Sequence, residues 1–221
     1  MKLITVISTV TDGNMLIRDN KANQDIIDNR NNFLAKNDIE ISQTVMVSTV
    51  YGGDDYCRYH EISDVNNSIL GGDTIPADAL VTKSSNLALF LPIADCVGMA
   101  VFDPNKNVLM MSHLGRHSLE QNGGYKSIQF LIGNYQCNPS DLLVWLTPAP
   151  GKDNYPFFAF DGKSIKEAAL QQLQSAGILS KNITDNPADT TTDQNYYSHS
   201  EFLKGNQKTD GRFAIVAMMT D

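Results

Sequence analysis

Two apolar runs joined by a short turn limit what this chain can become. Cys96 to Phe102 reads Cys-Val-Gly-Met-Ala-Val-Phe, and Val108 to Ser112 reads Val-Leu-Met-Met-Ser. Between them stands Asp103-Pro104-Asn105-Lys106-Asn107, a run of turn formers. Each run predicts a buried strand, and the turn folds the two into an antiparallel pair. The second strand ends at His113-Leu114-Gly115, followed by Arg116 and His117. A hairpin about this turn brings Cys96 and His113 side by side at its open end. A thiolate and an imidazole together can bind zinc or form a nucleophile–base pair. Asp95 can orient the histidine or act as general base. Cys96 and His113 are only two metal ligands, however, and a tetrahedral zinc site takes at least three from the protein. The competing reading of Cys96 is a small core residue.

The rest of the chain supplies partners for such a pair. Leu3 to Val10, Thr44 to Tyr51, Tyr56 to Ile62, Leu87 to Pro92, Leu142 to Leu146 and Phe213 to Met218 predict further strands. Asn23 to Asn37 carries Ile26, Ile27, Phe33 and Leu34 at helical spacing, with the Arg30 stem laid along the stripe. Tyr125 to Tyr135 and Ser164 to Ala176 predict two more helices, the last stopped by Gly177. Gly71-Gly72-Asp73 reads as a loop, and so does Asp185 to Gln194. Strands and helices thus alternate with hairpin-length turns, which predicts a mixed α/β fold and not an all-parallel one. A length of 221 residues suits one domain with a sizeable core, or at most two small ones.

Charge and cysteines narrow the function. A net charge of −8 argues against nucleic acid or an anionic membrane as partner, since both call for basic surface. No stretch approaches the roughly 20 apolar residues of a membrane span. Three cysteines, Cys57, Cys96 and Cys137, make an odd count with no CxxC, so a reducing, cytoplasmic setting is expected.

An ordered set of short motifs adds a resemblance. Ala77 to Thr82 reads ADALVT, Ala94 to Cys96 reads ADC, Asp103-Pro104 follows, and His113 to Gly115 reads H-x-G. Later come SDLLVWLTPAPG from Ser140, LQSAGI from Leu173, YYSH from Tyr196 and TDGRFA from Thr209. In this order and spacing the chain resembles the laccase-domain (polyphenol-oxidase-like, YfiH-like) purine nucleoside phosphorylase family over most of its length. The resemblance implies a single α/β domain over residues 1–221, with mixed sheets packed among helices. It implies a zinc site that includes Cys96 and His113. It implies cytoplasmic action on purine nucleosides, namely phosphorolysis with phosphate or deamination of adenosine. The older oxidase label travels with the family.

The chain also departs from the pattern. The family's first zinc histidine falls on Tyr51, in Thr49-Val50-Tyr51-Gly52, and a phenol is a poor zinc ligand near neutral pH. The family's anion-binding arginine falls on Val10, so a phosphate loses a bidentate partner. The residues after H-x-G are Arg116 and His117, which can partly replace that arginine. His60, or His117 on a shared helical face with His113, can be drawn as substitute zinc ligands. Tyr51, Tyr196, Tyr197 and Phe157 can stack on a purine or fill a core, and His199 can line a pocket or sit in a plain loop. Three readings follow: a divergent zinc-dependent phosphorylase or deaminase with Cys96, His113 and Asp95 as its chemistry; a non-catalytic relative that binds a ligand; and a Cys–His hydrolase.

Overall fold

The computed structural model describes residues 1–17, 23–49, 51–71 and 74–221. Among the described residues there are ten strands and five α-helices. In chain order they are β1 (Lys2–Ile7), α1 (Gln24–Ala35), β2 (Thr44–Met46), β3 (Tyr59–Glu61), β4 (Ala79–Thr82), β5 (Ala88–Ile93), β6 (Val97–Asp103) and β7 (Val108–Leu114). Then follow α2 (Arg116–Glu120), α3 (Gly123–Tyr135), β8 (Leu143–Leu146), α4 (Ile165–Ser175), β9 (Ile183–Asp185), α5 (His199–Leu203) and β10 (Phe213–Thr220).

The strands form two sheets, ordered β1-β10-β5-β2 and β3-β4-β7-β6-β8-β9. Both are mixed. β2 runs parallel to β5, β3 to β4 and β8 to β9, while the other pairs are antiparallel. The expected α/β class, with mixed sheets among helices, is what the chain adopts.

Alternation along β6 explains how the layers stack. Val97, Met99 and Val101 face one way and join Ile128 and Leu131 of α3 and Ala168 and Leu173 of α4. Ala100 and Phe102 face the other way and meet Leu89, Leu91 and Ile215 of the second sheet. That sheet's far face, with Phe90 and Val216, packs on Phe33 and Leu34 of α1. The result is four layers, helix–sheet–sheet–helices. The buried hairpin therefore lies in the middle of the molecule, covered on both faces.

Local chemistry sets the helix ends. The Asn23 side chain accepts from Asp25 N and Ile26 N and starts α1. Ser164 and Glu167 form a capping box at α4, and Gly177 leaves that helix at φ +95°. α3 begins two residues earlier than its apolar spacing implies. Gly123 and Gly124 belong to it because they lie against Ser118 and Gln172, where a β-carbon would meet Ser118 Oγ at 2.0 Å and Gln172 Oε1 at 3.1 Å.

Some expectations need correction. The strand expected from Thr44 to Tyr51 is three residues long. Its ladder ends when Ser48 leaves β5 and bridges Pro76 instead. Arg30 does not reach solvent along its stem. It is fully buried, with Nε and Nη2 donating to the Met15 carbonyl at 3.0 and 2.7 Å and Nη1 donating to the Ile69 carbonyl. Its guanidinium lies 5.4 Å from the Phe90 ring centroid. Burial pulls its pKa down to about 10, so it stays charged near neutral pH. In the Gly71-Gly72-Asp73 loop, Gly72 and Asp73 lie outside the described residues, as does Val50. No described helix is long and apolar enough to cross a membrane.

Candidate functional site

The β6–β7 register decides how the hairpin presents its polar end. Asp103 pairs with Val108 and Gly98 pairs with His113. The centre of the turn thus falls one residue later than the midpoint of Cys96 and His113. His113 faces Gly98, and Cys96 is its diagonal neighbour, not its direct partner. Residues two apart on a strand share a face, so both side chains still point the same way. Cys96 Sγ and His113 Nε2 each lie 3.3 Å from the point a β-carbon on Gly115 would occupy. The absent side chain of Gly115 leaves that point open between sulfur and imidazole.

Asp95 serves a different purpose from the one expected of it. Its φ of +59° is left-handed, so β6 has not begun there and the side chain does not follow the strand's alternation. One carboxylate oxygen accepts from Ser200 N at 2.6 Å and the other from Thr190 Oγ1 at 3.2 Å. Asp95 therefore anchors the start of α5 and does not orient His113. The acid beside His113 is Asp78, buried within the ADALVT stretch. Its carbonyl accepts from His113 N at 2.8 Å, and its carboxylate takes Arg58 Nε at 2.9 Å.

A cavity of about 280 Å³ opens over this pair, walled by Tyr51, Tyr56, Tyr155, Asp78, Arg116 and His117 as well as Cys96 and His113. Arg116 opens α2, and its Nη2 donates to the Tyr155 hydroxyl at 3.3 Å with the guanidinium 5.5 Å from that ring's centroid. His117 turns to Glu120 Oε2 at 3.3 Å and stacks on Tyr56 at 4.8 Å. It shares no helical face with His113, because Gly115 is the cap of α2 and His113 still belongs to β7. His60 lies exposed on the edge strand β3, outside the cavity lining. A second chamber, of about 390 Å³, shares Cys96, His113, Tyr51 and Tyr155 with the first and adds Asp95, His199 and Arg212.

Electrostatics leave the central pair uncharged. Burial, and then the neighbouring Asp95 carboxylate, push the Cys96 thiol up to about 12. Burial pulls His113 down to about 4, with Asp78 opposing it weakly. Near neutral pH the pair is a thiol and a neutral imidazole. A Cys–His hydrolase needs the thiolate, so this charge state opposes that reading. The Tyr51 ring is largely exposed, yet desolvation first and the Cys96 sulfur second raise its phenol above the usual value.

The donor set does not fit a three-ligand metal centre. Tyr51 stands where the resemblance places a histidine, edge-on to His113 at 6.3 Å between ring centroids, and keeps its phenolic proton. Among the described residues no three His, Cys, Asp or Glu side chains are placed to hold a metal ion. Cys96 and His113 remain two ligands without a third.

A family model described as "Multi-copper polyphenol oxidoreductase laccase" matches residues 8–159. The chain belongs to this family. No curated protein matches it. Among solved structures, this laccase-family chain is similar to YlmD from Geobacillus stearothermophilus, at 19% identity and TM-score 0.86 over 99% of this chain and 92% of that one. It is similar to the hypothetical protein YfiH of Bacillus licheniformis, at 18% identity and TM-score 0.82 over 99% and 93%. A Neisseria meningitidis protein, NMB0706, aligns at 16% identity and TM-score 0.74 over 99% and 95%. At these identities the likeness speaks for the fold.

Several cavity residues were not singled out by the sequence. Asp78 lies within the ADALVT motif, and an acid inside an apolar run is itself a signal. Arg212 stood in TDGRFA without a role. Tyr56 and Tyr155 carried no signal, because only the folded loops bring them to the cavity.

Proposed function

We propose that the chain binds a purine nucleoside in the cavity over Cys96 and His113 and splits it with phosphate. The observation that carries this reading is the convergence of Cys96 and His113 on one open point beneath a wall of tyrosines. The cavity is near the lower end of the size range of small-molecule sites. Tyr56 and Tyr155 offer faces for a planar base, and Arg116 offers a cation for an oxyanion. The neutral imidazole and the thiol can hydrogen-bond a ribose hydroxyl or a base edge. The motif resemblance supplies the substrate class. Of the family's two reactions, phosphorolysis suits these residues better, because phosphate is itself a nucleophile whereas deamination needs an activated water.

Tyr51 favours a second reading, in which the chain binds the nucleoside without turning it over. Chromatography of adenosine, inosine and guanosine incubated with protein and phosphate separates the two. The first reading expects phosphate-dependent release of free base and ribose 1-phosphate, reduced about 10-fold or more in Arg116→Ala, since a charged hydrogen bond contributes about 1.5–3 kcal/mol. Saturable nucleoside binding with no base released supports the second. Absence of both binding and release removes the two together.

A further inference from the structure

We propose that His199, held by Asp210, is the proton-transfer residue of this pocket, an inference that rests on the phosphorolysis reading above. His199 Nδ1 lies 2.8 Å from Asp210 Oδ1, and the same oxygen accepts from Arg212 Nη1 at 2.8 Å. The carboxylate is largely buried and the imidazole is not, with side-chain exposures of 11% and 42%. A histidine fixed through Nδ1 by a carboxylate presents its other nitrogen for chemistry, with the carboxylate ready to stabilise the imidazolium. Among the described residues, no hydrogen bond engages His199 Nε2.

The placement is what makes the dyad matter. His199 lines the chamber that holds Cys96 and His113. It also lines a third chamber, of about 610 Å³, together with Arg30, Arg212 and Asp210. Tyr51 borders all three spaces, so they meet around its ring. Among the described residues of the third chamber, Arg30 and Arg212 stand against a single carboxylate, Asp210, which favours an anion such as phosphate there. His199 is shared by the second chamber, which also holds His113, and the third, which holds Arg30; both include Arg212.

His117 also has a carboxylate behind it, but its contact with Glu120 is longer, at 3.3 Å against 2.8 Å, and that pair is more exposed, at 56% and 38% against 42% and 11%. Asp95 has both oxygens engaged, and through Ser200 N it fixes the turn that carries His199, which makes it a positioning residue. His113 is buried and neutral, and Cys96 is a thiol. Tyr155 and Tyr51 are phenols held above their usual values. On α5 itself Glu201 is spent on Lys204 at 2.7 Å.

In the proposed step the imidazolium of His199 gives its proton to the purine as the C1′–N9 bond breaks. An oxygen of dihydrogen phosphate forms the C1′–O bond, and the proton that oxygen sheds returns to His199. Nucleoside and phosphate become free base and ribose 1-phosphate with no net proton change.

The test is the pH–rate profile of base release by His199→Gln and Asp210→Asn, with inosine binding and melting temperature measured alongside. His199→Gln is expected to lose about 100-fold in rate, at the lower end of acid–base contributions, while it keeps inosine affinity. Its profile is expected to lose the limb along which activity falls as pH rises. Asp210→Asn is expected to lose rate while it keeps inosine affinity, because the imidazole then loses the carboxylate that fixes its Nδ1. A wild-type rate in His199→Gln overturns the proposal, and so does a slower enzyme with an unchanged profile, which would mark a structural role. If His199→Gln does not fold, Asp210→Asn decides, and a wild-type rate there overturns the proposal. Wild-type protein that binds inosine but releases no base overturns the phosphorolysis reading and the dyad's role with it. Loss in the variants alone speaks only to the dyad.

Discussion

Tyr51→His is expected to turn a two-donor pocket into a three-ligand zinc centre and to raise zinc affinity at least ~100-fold. The wild-type pocket supplies one sulfur and one imidazole converging on the open point beside Gly115. Tyr51 borders the same cavity, and its phenol must shed a proton that its surroundings hold more tightly than usual. A neutral imidazole at that position needs no such deprotonation near neutral pH. Bound zinc also draws the proton from the Cys96 thiol, which otherwise keeps it up to about 12, so affinity in the variant should rise with pH. Competition with a chromophoric chelator measures the affinity, and adding Cys96→Ala to Tyr51→His should remove the gain. Equal zinc affinity in wild type and Tyr51→His would show that Tyr51 does not stand in the third ligand's place.

Arg30→Ala carries the largest expected effect on stability. The side chain is fully buried, and its donors close two carbonyls from distant parts of the chain, Met15 and Ile69. Truncation leaves both carbonyls without that donor and opens a void beneath Phe90. Unpaired buried acceptors cost about 1–3 kcal/mol each and a cavity adds to that, so a loss of about 3–5 kcal/mol is expected. Urea unfolding measures it. A loss under about 1 kcal/mol would mean that water enters and replaces the guanidinium. Arg30 also borders the chamber assigned to phosphate, so Arg30→Lys, which keeps a charge, should retain more of the fold than Arg30→Ala.

Long, regular elements were legible in the sequence because their period repeats. α1 and α4 declare themselves through apolar spacing and through Asn23 and Ser164 at their starts. The β6–β7 hairpin follows from two apolar runs and a turn. β9, α2 and α5 span three to five residues each, too short for a period, and they form because tertiary contacts hold them. The convergence of Cys96 and His113 was readable, but the register was not. A one-residue shift in the centre of the turn replaces a direct pair by a diagonal one. The part played by Asp95 was hidden for a different reason. Its partners, Thr190 and Ser200, lie 95 and 105 residues away, and its left-handed backbone cancels any inference from strand alternation. His199 and Asp210 are 11 residues apart across a loop, with no spacing rule to join them.

The chain has only four histidines, which makes imidazole ¹⁵N spectra a direct readout of where a nucleoside binds. His113, His117 and His199 line the assigned spaces, while His60 sits on the edge strand away from them. Titration with inosine and phosphate should move the resonances of the first three and leave His60 in place. Resonances that all stay put at saturating inosine, or a shift confined to His60, would contradict a nucleoside site over Cys96 and His113.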